Sequence, residues 1–193
     1  METEPWTRPV PPALATEPLR SLYDAIASRS SRGHVKHLWQ ALGVDPTILE
    51  SVFGAARAVF DDPAPLTAVQ VELVALVVSA TNGCAYCVAH HGPRLAKALD
   101  DENLARAVAR DFRQADITAR DRVMLDYAVA LTCEPAERTR ADLERVREYG
   151  FDDPTLVRLT ALVAYCNHVN RLACALGVTL EPGVAPWEFG SQR

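Results

Sequence analysis

Four residues of this chain are of the types, and at the spacings, that thiol chemistry needs: Glu72, then Cys84 after eleven intervening residues, then Cys87 and His91. Cys84 and Cys87 lie three apart. On a helix they share a face about one turn apart, within reach of a disulfide after slight adjustment. They fall at an expected helix N-terminus, where unpaired N–H groups and the helix dipole stabilise an anion, and the thiolate is the reactive form of cysteine. His91 follows Cys87 by four residues, and an imidazole one turn on can take the thiol proton directly or through water. Glu72 is a lone carboxylate among Val and Leu, which is costly to bury unless it finds a partner. A turn at Asn82-Gly83 can fold its helix back and bring it to His91. The resulting order is carboxylate, imidazole, thiol, second thiol, and it suits peroxide reduction. A thiolate attacks the O–O bond and becomes a sulfenic acid, and the neighbouring thiol condenses with it to a disulfide. An external dithiol must then reduce that disulfide by exchange.

Other readings of the same residues compete. Cys84, Cys87 and His90 or His91 can supply three zinc ligands, but a structural zinc site needs a fourth, and the chain has no second C-x-x-C and no H-x-x-x-H. A thioredoxin-like motif would follow a strand, whereas here it follows a helical pattern. Inert core cysteines fit poorly beside an Asn-Gly break. Tyr86 is an auxiliary candidate, as a packing residue or as a hydroxyl donor to peroxide. His90 is rotated from His91 by about a third of a turn and reads as surface or interface. His34 and His37 read as surface, and His168, with Asn167 and Asn170, as a polar helix contact. Cys133, Cys166 and Cys174 read as small buried hydrophobes.

The elements that position these residues are helical, and strand signals do not recur. Residues 1–15 read as a proline-rich arm, 16–180 as one all-helical domain with its core motif at 67–99, and 181–193 as an extended tail. Thr16 can cap a helix from Glu17 with Pro18 in its first turn. Asp45-Pro46 starts the next helix, to about Val59, and residues 61–65 break the chain. Thr67-Ala68-Val69-Gln70 is a capping box. Behind it Val69, Leu73, Leu76, Val77 and Ala80 recur at helical spacing, widened by Val74 and Val78, so much of this helix should be buried. A new helix runs from near Cys84 to about Leu99. Thr118–Asp121 and Thr139–Asp142 are further capping-box starts. Gly150 fits a C-terminal cap, and Asp153-Pro154 opens a long helix ending at Gly177. Arg94–Leu99 resembles Arg171–Leu176, a faint repeat that sets His91 opposite His168.

Composition fits a folded body: of 193 residues, 49% are hydrophobic and 23% charged. A net charge of −5 without a dense Lys/Arg run argues against a nucleic-acid partner. The longest apolar stretch, Leu73–Ala80, is too short to cross a membrane. The N-terminus has no basic-then-apolar block, so a reducing cytoplasm is expected. The five cysteines are then not expected to form a static disulfide framework. Wide apolar helix faces are consistent with a homo-oligomer.

The pattern Glu72…Cys84-x-x-Cys87-x-x-x-His91 resembles the alkylhydroperoxidase D-like core of the carboxymuconolactone decarboxylase superfamily, nearest to its peroxidase-related branch. The resemblance extends through Leu125–Ala128, Gly150–Asp153 and Asn167–Ala173, covering about Asp45 to Leu180. It implies an all-α helical bundle with an internal pseudo-repeat and assembly as a dimer, trimer or hexamer. It implies hydroperoxide reduction with Cys87 as the sulfenic-acid cysteine, Cys84 as proton donor and disulfide partner, and Glu72 with His91 as proton relay. No bound cofactor or metal is implied; the reductant is an external dithiol, a lipoylated protein in the best-known members. One departure is Tyr86, where the peroxidase prototype has histidine. The decarboxylase branch lacks the C-x-x-C pair. Two other classes remain beside the peroxidase: a redox-sensing or zinc-binding helical oligomer without substantial catalysis, and a lyase or isomerase using Glu72 and His91 alone.

Overall fold

The structure, a computed structural model, describes residues 5–30 and 33–192. Among them the chain runs through nine α-helices, α1 (Leu19–Ala27), α2 (His37–Leu42), α3 (Pro46–Phe60), α4 (Ala68–Thr81), α5 (Ala85–Leu99), α6 (Glu102–Asp111), α7 (Ala119–Cys133), α8 (Arg140–Arg147) and α9 (Asp153–Ala175), with short 3-10 turns at Pro12–Leu14 and Pro135–Glu137. No strand occurs among the described residues, and none of their helices is long and apolar enough to cross a membrane.

Helix α4 is the axis of the molecule. Its sequence is apolar on every side, so it can only be stable when covered all round. It packs against α5, α6, α7 and α9, and Val74 through Val78 have no solvent exposure. Its start is fixed by the expected capping box, in which Thr67 Oγ1 accepts from the Gln70 amide at 3.1 Å and the Gln70 carboxamide accepts from the Thr67 amide at 3.1 Å. Asp45, Thr118 and Asp152 likewise accept from amides of the first turns of α3, α7 and α9. Each such cap is worth about 1 kcal/mol.

The first helix begins two residues later than the sequence indicates. Pro18 is its N-cap residue, Leu19 its first helical residue, and Thr16 makes no side-chain cap. Helices α2 and α6 were not foreseen. The first is only six residues long, and the second is polar on most of its surface, with Ala105, Val108 and Ala109 as its buried stripe.

The tail after Leu180 is extended, as read, but it is not a loose arm. Trp187 and Gln192 are buried. Trp187 lies beneath the Arg106 guanidinium, 4.4 Å from its ring centroid. The indole also covers Gly92, where a Cβ would fall 2.3 Å from the ring, so only glycine allows this approach. The Gln192 carboxamide accepts from the Phe112 amide at 3.2 Å and donates to the Ala109 carbonyl at 2.9 Å, which ties the tail to the end of α6. Buried apolar residues form two clusters. One surrounds α4; the other is built from the N-terminal segment, α1, α2 and α3, together with Cys84, Tyr86, Cys87 and Ala173.

Candidate active site

The α4–α5 turn sets the site. Gly83 has φ +69°, which a side chain would resist, and lets the chain reverse within two residues. The Cys84 amide donates to the Ser79 carbonyl at 2.9 Å. The Asn82 carboxamide donates to Asn167 Oδ1 at 3.0 Å and to Asn170 Oδ1 at 2.9 Å, and Asn170 donates to Ser79 Oγ at 3.1 Å. The turn is therefore pinned to α9. The polar contacts expected around residue 168 are made by Asn167 and Asn170, while His168 itself is exposed. The repeat partners Arg94–Leu99 and Arg171–Leu176 lie on α5 and α9 in different surroundings, since His91 is paired and half-buried.

Cys84 is the N-cap of α5, and its Sγ accepts from the Cys87 amide at 3.3 Å. Both thiols are nearly sealed, at 1% and 4% exposure. Cys84 also contacts Cys174. That contact favours the Cys84 thiolate, but contact with Cys87 and burial outweigh it and push the Cys84 thiol well above the ordinary cysteine range. Cys84 is thus a protonated thiol at neutral pH. Of the three cysteines expected to be buried, only Cys166 is; Cys133 and Cys174, in the last turns of α7 and α9, are exposed.

Glu72 and His91 meet. His91 Nδ1 lies 2.7 Å from Glu72 Oε2. A carboxylate can only accept, so Nδ1 carries the hydrogen and Nε2 keeps its lone pair. The imidazole is stacked on Phe60 at 5.9 Å between centroids, and the Arg94 guanidinium lies 3.8 Å from Glu72 Oε1. Burial works against the Glu72 charge, yet His91, Arg94 and Lys36 outweigh it and hold the carboxyl below its ordinary range. Burial likewise pulls His91 below the ordinary imidazole range against the attraction of Glu72. Near neutral pH the pair is a carboxylate bonded to a neutral imidazole, the form of a general base one turn from Cys87.

A second network lies beside the first and was not read from the sequence. Glu181, from the tail, is 8% exposed. Its Oε1 accepts from the Tyr86 hydroxyl and from the His37 amide, both at 2.8 Å, and its Oε2 lies 2.9 Å from His90 Nε2. Burial opposes its charge, but these bonds and His90 outweigh burial and hold its carboxyl far below the ordinary range. Tyr86 therefore does not point away; its oxygen also accepts from the Leu38 amide at 3.3 Å. His90 is not a surface residue: it is bonded to Glu181 and set edge-on to Tyr86 at 4.6 Å. His37 is half-buried, with Nδ1 2.9 Å from the Thr179 carbonyl. The signal for His90 was Tyr86 at i−4, a spacing that puts both on one face. Glu181 and Lys36 had no local signal: neither lies at a helical spacing from another residue of the site.

With His90 turned onto Glu181 and His91 onto Glu72, neither completes a set with the two thiols. Among the described residues no group of three or more His, Cys, Asp or Glu side chains is placed to hold a metal ion. A cavity of about 600 Å³ lies behind Glu181, lined among others by Tyr23, His34, His37 and Gln40, and no thiol lines it.

The buried pairs make acid stability a test of this geometry. His90 and His91 are lowered from 6.5, chiefly by burial, and Glu72 and Glu181 are lowered from 4.5. In all four the folded state holds fewer protons than the unfolded chain, so stability rises with pH. It should fall as pH drops through 6.5 and again through 4.5. The urea midpoint followed by circular dichroism is expected to be lower at pH 5.5 than at pH 7.5; an equal or higher midpoint would contradict the buried pairing.

The sequence model of the carboxymuconolactone decarboxylase family matches residues 46–111, the span that contains Glu72, Cys84, Cys87 and His91. A solved structure of an alkylhydroperoxidase AhpD core, an uncharacterized peroxidase-related protein from Ralstonia eutropha JMP134, superposes with a TM-score of 0.85 at 26% identity, over 96% of this chain and 100% of that one. The family model and this superposition support a place for the chain in the alkylhydroperoxidase D-like and carboxymuconolactone decarboxylase superfamily. A second solved structure, of an uncharacterized peroxidase-related protein from Silicibacter sp. TM1040, is 28% identical with a TM-score of 0.79, over 92% of this chain and 96% of that one. The debrominase Bmp8, solved with 2,3,4-tribromopyrrole, is 18% identical with a TM-score of 0.76, over 90% of each chain, a likeness of fold alone. The all-helical bundle expected for the family is the one observed. Lys36 and Glu181 lie outside the matched span, on either side of it.

Proposed function

We propose that this chain is a thiol-dependent peroxidase acting on organic hydroperoxides or hydrogen peroxide through a Cys84–Cys87 dithiol cycle. The observation that carries the reading is the 2.7 Å bond between Glu72 and His91, which leaves Nε2 of a neutral imidazole one helical turn from Cys87. In the first step His91 takes the Cys87 proton and the thiolate attacks the distal peroxide oxygen. The O–O bond breaks, Cys87 becomes a sulfenic acid, and the alkoxide takes a proton to leave as the alcohol. In the second step the Cys84 thiol displaces hydroxide from the Cys87 sulfur, forming the disulfide and water. An external dithiol, such as a lipoylated protein, returns both thiols by exchange. Self-association belongs to the same reading, and the 70% exposure of Val157 on α9, beside Ala161, supports a face for it.

The test is to count free thiols in the reduced protein before and after one equivalent of cumene hydroperoxide. Loss of two thiols per chain, mapped by mass spectrometry to Cys84–Cys87, is expected. Retention of both would overturn the reading and favour a binding module.

A further inference from the structure

Lys36 stands immediately before α2 and is half-buried. Its Nζ lies 3.2 Å from His90 Nδ1. An ammonium can only donate, so Nδ1 is the acceptor and Nε2–H donates to Glu181 at 2.9 Å. The Tyr86 hydroxyl donates to the other Glu181 oxygen and accepts from the Leu38 amide. Every hydrogen in this chain of cation, imidazole, carboxylate and phenol has one consistent place.

As a structural device the arrangement is poor. Burying a cation is costly unless a carboxylate pairs with it. Among the described residues no carboxylate comes within ion-pair distance of Lys36, whose hydrogen-bond partner is a neutral ring. Its Nζ is instead held at His90, one turn on from Cys87 and next to His91 on α5, so its charge lies beside the turn that carries the candidate nucleophile and base. Glu181, Glu72 and Cys87 favour that charge and Arg94 opposes it.

The geometry points to Lys36 as the proton donor to the leaving alkoxide, held in place by His90 and Glu181. This deepens the peroxidase reading and rests on it. The Cys87 thiolate attacks the distal oxygen of R–O–O–H, the O–O bond breaks, and RO⁻ takes a proton from the Lys36 ammonium and leaves as ROH. The neutral amine regains a proton, by way of solvent, from the imidazolium that His91 became when it accepted the thiol proton. No further reactant is consumed. Burial, with Arg94, lowers the Lys36 ammonium to about 8, against the opposing pull of Glu181, Glu72 and Cys87. Such an acid is still protonated at neutral pH and gives its proton up readily. The donor occupies the side of the site where Tyr86 replaces the family prototype's histidine.

The experiment compares two oxidants on reduced wild-type protein and on Lys36→Met, with single-turnover oxidation of Cys87 as readout and a thermal melt as control for folding. Cumene hydroperoxide expels an alkoxide that needs a proton; peracetic acid expels acetate, which does not. Lys36→Met is expected to lose about 10²-fold in rate with cumene hydroperoxide and to match wild type with peracetic acid. Equal loss with both oxidants, or no loss with either, overturns the assignment while leaving the peroxidase reading intact. A wild type that reacts with neither oxidant sinks both. The wild-type rate with cumene hydroperoxide should also fall on the alkaline side with a midpoint near 8. Glu181→Gln, which keeps the side-chain shape, should move that midpoint to lower pH because it removes a charge that raises Lys36. An unmoved midpoint counts against the proposal even if Lys36→Met does not fold.

Discussion

Cys87→Ser is expected to abolish hydroperoxide turnover, a loss of at least about 10³-fold, the scale on which removal of a nucleophile is felt. A serine hydroxyl is a far weaker acid and a far weaker nucleophile toward peroxide than a cysteine thiol. The side chain differs by one atom in a site that is 4% exposed, so the variant should fold. Its companion, Cys84→Ser, separates the roles of the two thiols. Cys84 Sγ accepts from the Cys87 amide at 3.3 Å as the cap of α5, and serine is a strong N-cap, so the helix keeps its start. Turnover should still be lost, with one thiol consumed and a sulfenic acid persisting on Cys87. Trapping with dimedone followed by mass spectrometry reads this directly. Normal turnover in Cys87→Ser, or no trapped adduct in Cys84→Ser, would show that the roles are wrongly assigned.

Glu72→Gln is expected to slow Cys87 oxidation by about 10²- to 10⁴-fold, the contribution of a positioned general base. The reason lies in what an amide can offer its two neighbours. Glu72 serves His91 Nδ1–H through one oxygen and the Arg94 guanidinium through the other. A carboxamide is neutral: its oxygen can still accept from Nδ1–H, but the change removes the charge that would stabilise the imidazolium formed when His91 takes the thiol proton, and with it the attraction that holds Arg94 beside the pair. The defect should shrink as pH rises, because hydroxide can make the thiolate without His91. Stopped-flow oxidation across pH 6–9 checks it, and a rate equal to wild type at pH 7 would remove Glu72 from the mechanism.

Much of the core of the site was legible because its signals are local. Thr67 with Gln70, and Asp45 before Pro46, announce helix starts by capping chemistry within four residues. The apolar run of α4 announces a buried axis, and a carboxylate embedded in it announces a partner. Cys84, Cys87 and His91 are spaced by helical turns, and Asn82-Gly83 marks the reversal that returns Glu72 to His91. What escaped comes from chain segments without periodicity. Glu181 lies in a tail of prolines and glycines, and Lys36 in the approach to a six-residue helix. Nothing local says that the two meet at His90. The misplacement of His90 has a different cause. The angle between His90 and His91 was read correctly, but that angle only separates their partners. It does not place one in solvent when a third segment covers the face.

That third segment sets how long the site stays assembled. Among its described residues the tail has no helix or strand, and its grip includes the Glu181 bonds, Trp187 against Gly92 and Gln192 at the end of α6. Segments of this kind detach by sub-global opening, at free energies below that of unfolding the whole molecule. Such an opening would free Tyr86 and His90 and admit water to the neighbourhood of the two sealed thiols while the α4 core stayed intact. Resistance to heat and persistence of the candidate site's geometry would then be separate properties, governed by different parts of the chain.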